Sequence, residues 1–313
     1  MALIQFTYVS NVLLRSVPVQ VILPVDKLSP EGEYLPLKKY KTLYLLNGLW
    51  GSHVDWVSGT RIQRWAEERD LAVVMPAGEN SFYVDRPGFH TEYGKWIGQE
   101  LVQITRRMFP LSRKREDTFI GGLSMGGYAT WELLQNYGHI FAAGVPVCGF
   151  GTETNVEPLV DIPIRIYHGT ADPTVSFSSS QSMYDAIVAA GGKKVELFPL
   201  EGVGHDAWSY AYADTSMFEW MFSQDKSKSA PSPIAPVRPF RVVDSNGNDI
   251  ITIDDVIEVD YSIVNLEKPD CVDIELLLTD EGRAKLENAY AQSGGKEFTV
   301  LGNAFAILAG LAD

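Results

Sequence analysis

The sequence predicts an α/β fold, in which a mostly parallel sheet is covered by helices on both faces. Three observations lead to this prediction. The strand-like runs are apolar almost throughout, helical patterns lie between most of them, and a serine between glycines stands where one strand meets one helix. Strands buried on both faces are typical of parallel sheets, because crossover helices pack on each side. Ligands then bind at the carboxyl ends of the strands.

Seven runs rich in apolar and β-branched residues occur in the first 222 residues and are predicted as strands. They cover 19–23, 42–46, 71–75, 118–121, 143–147, 164–167 and 195–198. Apolar residues at helical spacing predict the helices between them. These helices cover 59–69, 94–109, 126–137 and 177–190, and a last one over 208–222 closes the series. Residues 1–222 are therefore expected to form one catalytic domain.

The composition changes after residue 222. Residues 223–239 contain four prolines and four serines without periodicity, which predicts an extended linker. Residues 240–313 are expected to form a small acidic α+β module with strands near 240–243, 250–253, 256–264 and 272–278 and a helix at 280–292. The Asn246-Gly247 pair between the first two strands favours a hairpin.

The run from Asp244 to Asp255 also resembles a calcium-binding loop, with Asn246 and Asn248 at ligand spacing. Its sixth position is Asp249, where such a loop requires glycine. The hairpin is therefore favoured over calcium.

The net charge of −14 argues against binding to nucleic acid or to anionic membrane surfaces. Residues 237–313 contain 15 acidic and 6 basic residues, so −9 of this charge lies there. No apolar run approaches the roughly 20 residues that a membrane span needs. The first residues lack a secretory signal, which predicts a cytoplasmic protein, or a secreted one if a leader was removed. Cys148 and Cys271 are far apart and are expected to be free thiols.

Gly-Leu-Ser-Met-Gly at 122–126 is the motif that carries chemistry. A serine on so sharp a strand-to-helix turn has an exposed hydroxyl, and its flanking glycines prevent collisions with the neighbouring strand and helix. This pattern predicts the nucleophile elbow of an α/β-hydrolase, with Ser124 as nucleophile. The alternative is a glycine-rich turn with an ordinary serine, so context has to decide.

A serine hydroxyl needs a histidine as base and a carboxylate that orients the histidine. In the α/β-hydrolase fold, the chain order is serine, then the acid, then the histidine. Asp172 directly follows a predicted strand and lies at its carboxyl end, whereas Asp161 precedes that strand and Asp185 lies within a helix. His205 is the one histidine after Asp172, in a glycine-rich turn. The alternatives are a capping aspartate and a solvated histidine, and the chain order favours the triad.

The oxyanion of an acyl-transfer intermediate needs backbone donors, each typically worth ~2.7–4 kcal/mol. One is expected from Met125, directly after the nucleophile. The other is expected from Leu49, because Gly48 permits a tight turn after an early strand. An ordinary glycine turn is the alternative for this second loop.

The segment 79–93 joins a strand to a helix and is rich in aromatic residues, which favours a wall or lid over the acyl pocket. Phe82, Tyr83 and Phe89 are its candidate substrate contacts, with Trp50 nearby. The equal alternative is that these rings pack as core beneath a surface loop.

With these motifs, residues 1–222 resemble the α/β-hydrolase esterases related to tributyrin esterase and S-formylglutathione hydrolase. The resemblance is carried by GLSMGG, Ser81-Phe82-Tyr83, 109–112, 115–120, HGTADPTV and GVGHDAW. It implies hydrolysis of short acyl esters through an acyl-enzyme, with Ser124, Asp172 and His205 as triad and with no metal or organic cofactor. Trp208 occupies a place that is often aromatic in related acetyl and feruloyl esterases. Asn47 departs from the family, which usually has histidine before Gly48.

The last segment resembles the extracytoplasmic P1 region of the SecD protein-export subunit. The matching residues are 240–248, 253–256 and 278–286. Without attached membrane spans, the export function does not carry over. The module is instead a candidate for binding an unknown partner.

These observations predict a serine carboxylesterase acting on a small ester. Acetyl or feruloyl esters of carbohydrates and S-formylglutathione are the alternative substrates. An acyltransferase on the same machinery and a non-catalytic scaffold are the alternatives of other classes. The sequence leaves open the natural substrate and the oligomeric state, including a homo-oligomer.

Overall fold

The computed structural model describes residues 1–86, 88 and 90–224, and beyond them the backbones of five strands. The chain divides into two compact units, Met1–Ala230 and Pro231–Asp313.

The first unit is built on an eight-stranded sheet in the order β1-β2-β4-β3-β5-β6-β7-β8. Strands β3 to β8 run parallel to one another, whereas β2 pairs antiparallel with both β4 and the edge strand β1. The predicted mostly parallel sheet is thus confirmed. The strands are β1 (Ala2–Ser10), β2 (Arg15–Leu23), β3 (Lys41–Leu46), β4 (Leu71–Pro76), β5 (Thr118–Leu123), β6 (Ala143–Val147), β7 (Ile164–Gly169) and β8 (Val195–Leu200).

Helices lie between the parallel strands, and the last two follow β8. They are α1 (Asp55–Gly59), α2 (Ile62–Glu68), α3 (Tyr93–Lys95), a π-helix (Trp96–Leu101), α4 (Val102–Met108), α5 (Met125–Tyr137), α6 (Phe177–Ala189), α7 (Trp208–Ala211) and α8 (Thr215–Phe222). Two predicted helices are interrupted. Thr60 is extended and separates α1 from α2, and the Asp214 side chain caps α8 by accepting a hydrogen bond from the Ser216 N–H.

Two apolar layers cover the sheet, one on each face. Alternate residues of β3 divide between them: Tyr44 and Leu46 pack in one layer, Leu43 and Leu45 in the other. The first layer includes residues of α5 and α6, and the second includes residues of α2 and α8. Both faces of the central strands are therefore buried, which is why their sequences are apolar throughout.

In the second unit, β9 (Arg241–Val243), β10 (Asp249–Thr252) and β13 (Thr299–Leu301) form one small sheet in the order β10-β9-β13. Strands β11 (Val256–Ile263) and β12 (Val272–Leu278) form a second, antiparallel pair. β9 and β10 pair antiparallel, as a hairpin requires. Of the run 244–255, which resembles a calcium loop, the structure describes only Asp249–Thr252, as β10. The helix predicted at 280–292 and most of the SecD-like residues lie outside the described part of the chain.

Within the described residues, the structure contains no helix long and apolar enough to cross a lipid bilayer.

Candidate active site

Ser124 lies on the turn between β5 and α5. Its backbone is left-handed, with φ 52° and ψ −112°, and its N–H donates to the Val147 carbonyl at 2.9 Å. The turn packs so closely that a Cβ on Gly122 would lie 2.5 Å from the Gly126 carbonyl oxygen, and one on Gly126 would lie 2.4 Å from that of Leu46. The two glycines of the motif are therefore required by backbone contacts, as a nucleophile elbow requires.

The structure brings Ser124, His205 and Asp172 together. The Ser124 Oγ lies 2.9 Å from His205 Nε2, and His205 Nδ1 lies 2.7 Å from Asp172 Oδ2. A carboxylate only accepts, so Nδ1 carries the proton and Nε2 accepts from the serine hydroxyl. This is the tautomer that a general base needs.

The side chain of Asp172 is inaccessible to solvent, and the residue lies three positions after the carboxyl end of β7. Its Oδ1 accepts hydrogen bonds from the backbone N–H groups of Thr174 (2.8 Å) and Val175 (3.0 Å). Burial alone would raise the pKa of Asp172, but the bonds from His205 and these two N–H groups outweigh it and hold the pKa below its usual value. The carboxyl group is therefore a charged acceptor for the imidazole near neutral pH.

The loops that carry Asp172 and His205 are tied to each other. The Ala171 N–H donates to the Val203 carbonyl at 3.0 Å. A Cβ on Gly169 would lie 2.2 Å from that same carbonyl oxygen, so only glycine allows this approach. These contacts fix the distance between acid and base through the backbone.

The predicted oxyanion donors belong to the first residue of α5 and to the loop that follows β3. Met125 is the first residue of α5, so its N–H has no acceptor within the helix and lies at the positive end of the helix dipole. Leu49 lines a cavity of about 280 Å³ together with Leu123 and Trp208. Gly48 does not supply a left-handed turn; a Cβ there would lie 2.5 Å from the Leu123 side chain.

Asn47 stands where the family that this chain resembles usually has histidine, and its side chain supports the loop before Leu49. Its buried side chain donates to the Gly48 carbonyl at 2.8 Å. Its Oδ1 accepts from the Gly78 N–H (3.0 Å) and from the Tyr83 hydroxyl (2.8 Å). Sequence reasoning noted the departure but not these contacts, because the partners lie more than 30 residues away.

The candidate pocket residues occupy different environments. Trp50 is 87% exposed and beside the 280 Å³ cavity, with its N–H bonded to Asn80 Oδ1. Tyr83 is fully buried beneath the Asn47 loop, so it supports that loop from inside the core. Trp208 stands edge-on to the His205 ring, with ring centroids 5.7 Å apart. Phe89 lies outside the described residues.

Phe82 packs with two aromatic residues that sequence reasoning did not single out. Its ring centroid lies 6.0 Å from Tyr128 and 6.4 Å from Phe150, which are 4.6 Å from each other. Tyr128 is in the first turns of α5, and its N–H donates to the Ser124 carbonyl. The spacing of four residues after the nucleophile is the one sequence signal that could have found it.

A second cavity of about 470 Å³ adjoins the 280 Å³ one, and Gly59, Thr60 and Trp208 line both. Its lining also includes Arg61, Arg64, Trp65 and Glu68. The wall of this second cavity is therefore a mixture of polar and aromatic side chains.

Within the described residues, one group of side chains could hold a metal ion: Cys148, Asp172 and His205, whose ligand atoms lie within 4.8 Å of one another. The Cys148 thiol donates to the His205 carbonyl at 3.3 Å. Burial raises its pKa to about 12, so the thiolate that metals bind is disfavoured. Because Asp172 and His205 are bonded to each other, the group fits the triad better than a metal.

Two family models match overlapping parts of the chain. The model named Esterase matches residues 10–145, and the Phospholipase/Carboxylesterase model matches residues 90–218. An acetyl esterase of Caldicellulosiruptor saccharolyticus is 43% identical over 131 residues, which are 41% of this chain and 48% of that protein. The chain thus matches about half the length of this relative. These similarities support a carboxylic ester hydrolase.

Solved structures show the same fold at low sequence identity. The fluorophosphonate-binding serine hydrolase F of Staphylococcus aureus has a TM-score of 0.59 at 24% identity, over 71% of this chain and 98% of its own. An S-formylglutathione hydrolase of Agrobacterium tumefaciens has a TM-score of 0.61 at 16% identity, over 72% and 99%. A feruloyl esterase module of Clostridium thermocellum has a TM-score of 0.57 at 14% identity, over 71% and 88%. The α/β-hydrolase fold predicted from the sequence is confirmed.

Proposed function

We propose that this protein is a serine esterase that hydrolyses short-chain acyl esters through an acyl-enzyme formed on Ser124. One observation carries the proposal: the hydrogen bonds from Ser124 Oγ to His205 Nε2 (2.9 Å) and from His205 Nδ1 to Asp172 (2.7 Å). They give the serine a base and give the base a fixed tautomer, which is what a weak hydroxyl nucleophile needs.

The reaction follows from this geometry. His205 takes the Ser124 proton as the Oγ attacks the ester carbonyl, and Asp172 stabilises the imidazolium. The N–H groups of Met125 and Leu49 donate to the oxyanion, and the N-terminus of α5 adds its positive potential. The tetrahedral intermediate collapses, and the alcohol leaves with the proton from His205. Water then repeats these steps on the acyl-enzyme and releases the acid.

A short acyl group is the substrate class that we favour. The cavity beside the Leu49 loop, about 280 Å³, suits a small group better than a long chain. The similarity to an acetyl esterase supports the same choice.

An aromatic acyl group, as in feruloyl esters, is the second candidate. Phe82, Tyr128 and Phe150 form an aromatic cluster at the start of α5, and Phe150 is 40% exposed. Exposed aromatic faces offer stacking to an aromatic acid. One structural neighbour is a feruloyl esterase module bound to sinapinate.

The first test is the rate of hydrolysis of p-nitrophenyl acetate, butyrate and octanoate. Acetate or butyrate should be preferred, and Ser124→Ala should lose about 10⁶-fold in kcat and fall to background. Ser182→Ala is the matched control, because it removes an exposed helical serine. If wild type and Ser124→Ala hydrolyse p-nitrophenyl acetate at the same rate, both the esterase and the acyltransferase hypotheses fail, and a non-catalytic protein is favoured.

Two further measurements separate the remaining candidates. Added alcohols that yield new esters in place of the free acid would indicate an acyltransferase. Methyl ferulate as substrate, with Phe150→Ala, tests the aromatic acyl group. That substitution should lower kcat/KM for the ferulate and leave acetate hydrolysis unchanged.

A further inference from the structure

His168, the fifth residue of β7, is buried four positions before Asp172. The side chain is completely inaccessible to solvent. Its Nε2 lies 2.9 Å from the Val175 carbonyl oxygen and 3.3 Å from Asp172 Oδ2. Its Nδ1 lies 2.7 Å from the hydroxyl of Ser180, which is also buried.

These partners define the protonation of His168. A carbonyl oxygen only accepts, so Nε2 carries a proton, which faces the Val175 oxygen and Asp172 Oδ2 together. Burial lowers the pKa of His168, so Nδ1 is unprotonated and accepts from the Ser180 hydroxyl. His168 is therefore a neutral imidazole whose Nε2–H is bonded to the Val175 carbonyl and lies 3.3 Å from the carboxylate oxygen.

The same oxygen of Asp172 is shared by two imidazoles. Oδ2 is 2.7 Å from His205 Nδ1 and 3.3 Å from His168 Nε2, while Oδ1 accepts from two backbone N–H groups. A buried carboxylate offers about four acceptor positions, and all four face a donor here. Oδ2 has one acceptor position that faces His205 and another that faces His168. Without His168, this second position would have no donor.

We propose that His168 is a positioning residue for the triad: its Nε2–H fixes the orientation of the Asp172 carboxylate and takes up part of the charge that Oδ2 presents to His205. This inference rests on the proposed esterase function of Ser124. The contacts then run from His168 to Asp172, and on through His205 to the nucleophile. His168 touches no substrate and acts through Asp172 alone.

The proposal has a consequence for pH dependence. Removal of the Nε2–H leaves more negative charge on Oδ2, which favours a protonated His205 and moves the acidic limb of the kcat/KM profile to higher pH. Cys148 also lies beside this pair, since its thiol donates to the His205 carbonyl, and the charges of Asp172 and Asp206 both act on that thiol. Cys148 and Asp206 are unchanged in the variants below.

Three variants test the proposal after wild type and Ser124→Ala have established the esterase. His168→Leu removes the donor. His168→Gln can return an N–H near the position of Nε2. Ser180→Ala is the matched control, because it disturbs the same buried cluster and leaves the contact to Asp172. Covalent labelling with a fluorophosphonate counts the folded active sites, so that kcat is compared per active site.

We expect His168→Leu to lose about tenfold in kcat and to shift the acidic limb upward by about half a pH unit. Its His205 Nδ1–H proton resonance should also move. His168→Gln and Ser180→Ala should stay within about threefold of wild type with an unshifted limb. The proposal would be overturned if the acidic limb of the kcat/KM profile did not shift in His168→Leu, or if it shifted equally in Ser180→Ala. Either result would show that His168 has only a structural role.

A measurement on the wild-type side chain keeps the test decisive if His168→Leu does not fold. With ¹⁵N-labelled histidine, the His168 Nε2–H resonance should move when a fluorophosphonate adduct on Ser124 charges His205, and also in Asp172→Asn. A resonance that stays unchanged in both cases would show that His168 and the carboxylate are uncoupled. An inactive wild-type protein would instead refute the esterase function itself.

Discussion

Replacement of Asn47 by alanine should separate support of the oxyanion loop from support of the fold. The side chain makes three hydrogen bonds, to the Gly48 carbonyl, the Gly78 N–H and the Tyr83 hydroxyl, at 2.8, 3.0 and 2.8 Å. Asn47 is 1% exposed, and all three partner residues are buried. Water therefore cannot replace the lost amide without a rearrangement of this loop.

The magnitude follows from these contacts. A buried donor or acceptor left without a partner costs ~1–3 kcal/mol. The Gly78 N–H and the Tyr83 O–H each lose their acceptor, whereas the Gly48 carbonyl still accepts from the Gly51 N–H at 3.2 Å. We expect Asn47→Ala to lower the free energy of unfolding by about 3–5 kcal/mol. If the Leu49 N–H also moves away from the oxyanion, kcat should fall by about 10²-fold with little change in KM.

Urea unfolding followed by tryptophan fluorescence reads the first effect, because all seven tryptophans lie in residues 1–222. Steady-state hydrolysis of p-nitrophenyl acetate under stabilising conditions reads the second effect. Asn136→Ala is the matched control, since it removes an exposed helical amide bonded only to the Glu132 carbonyl. An Asn47→Ala protein that is destabilised but retains wild-type kcat would refute the role of this residue at the oxyanion.

Three other predictions concern the surroundings of the triad. The folded state lowers the pKa of Asp172, so the contribution of this carboxylate to stability is complete above the unfolded pKa near 4 and is lost as pH falls through the folded pKa. In acid, the free energy of unfolding of wild type should therefore drop relative to that of Asp172→Asn. Equal changes of the unfolding free energy with pH in the two proteins would contradict this. Gly127→Ala should destabilise the first unit by roughly 2–4 kcal/mol, because the added Cβ would lie 2.5 Å from a carbonyl oxygen at the end of β6. Gly59→Ala is the control, since its added Cβ would have no atom within 4 Å, and this variant should unfold at the same urea concentration as wild type. The pKa of the Cys148 thiol is raised to about 12 by burial. In the Cys271→Ser variant, in which Cys148 is the remaining cysteine, Ellman's reagent should therefore react only after the protein is unfolded. Rapid reaction of the folded protein would contradict this burial.

The sequence could predict the sheet and the neighbourhood of Ser124, Asp172 and His205, because both depend on local signals. Parallel strands bring their carboxyl ends to one edge, so residues directly after β5 and β7 become neighbours whatever the intervening segments do. β1 was not predicted. It is a half-buried edge strand with alternating exposure, whose pattern is weaker than that of the apolar central strands.

The pocket could not be predicted, because it depends on backbone conformations that the sequence does not encode in a simple period. Phe82 and Tyr83 are consecutive and both left-handed, with φ 57° and 55°. One ring joins the aromatic cluster beside Tyr128, while the other enters the core beneath Asn47. Neither strand nor helix periodicity distinguishes these two directions.

Residues with a strained backbone occur both in the loop that follows β3 and in the segment that contains Phe82. Of the nine described non-glycine residues with positive φ, four lie in 79–90 and a fifth is Trp50. Such conformations cost about 1–3 kcal/mol each and persist only where surrounding contacts enforce them. Asn47 and Asn80 supply two of these contacts, to the Tyr83 hydroxyl and to the Trp50 N–H. Acyl preference should therefore respond to substitutions at these two asparagines, although neither belongs to the triad.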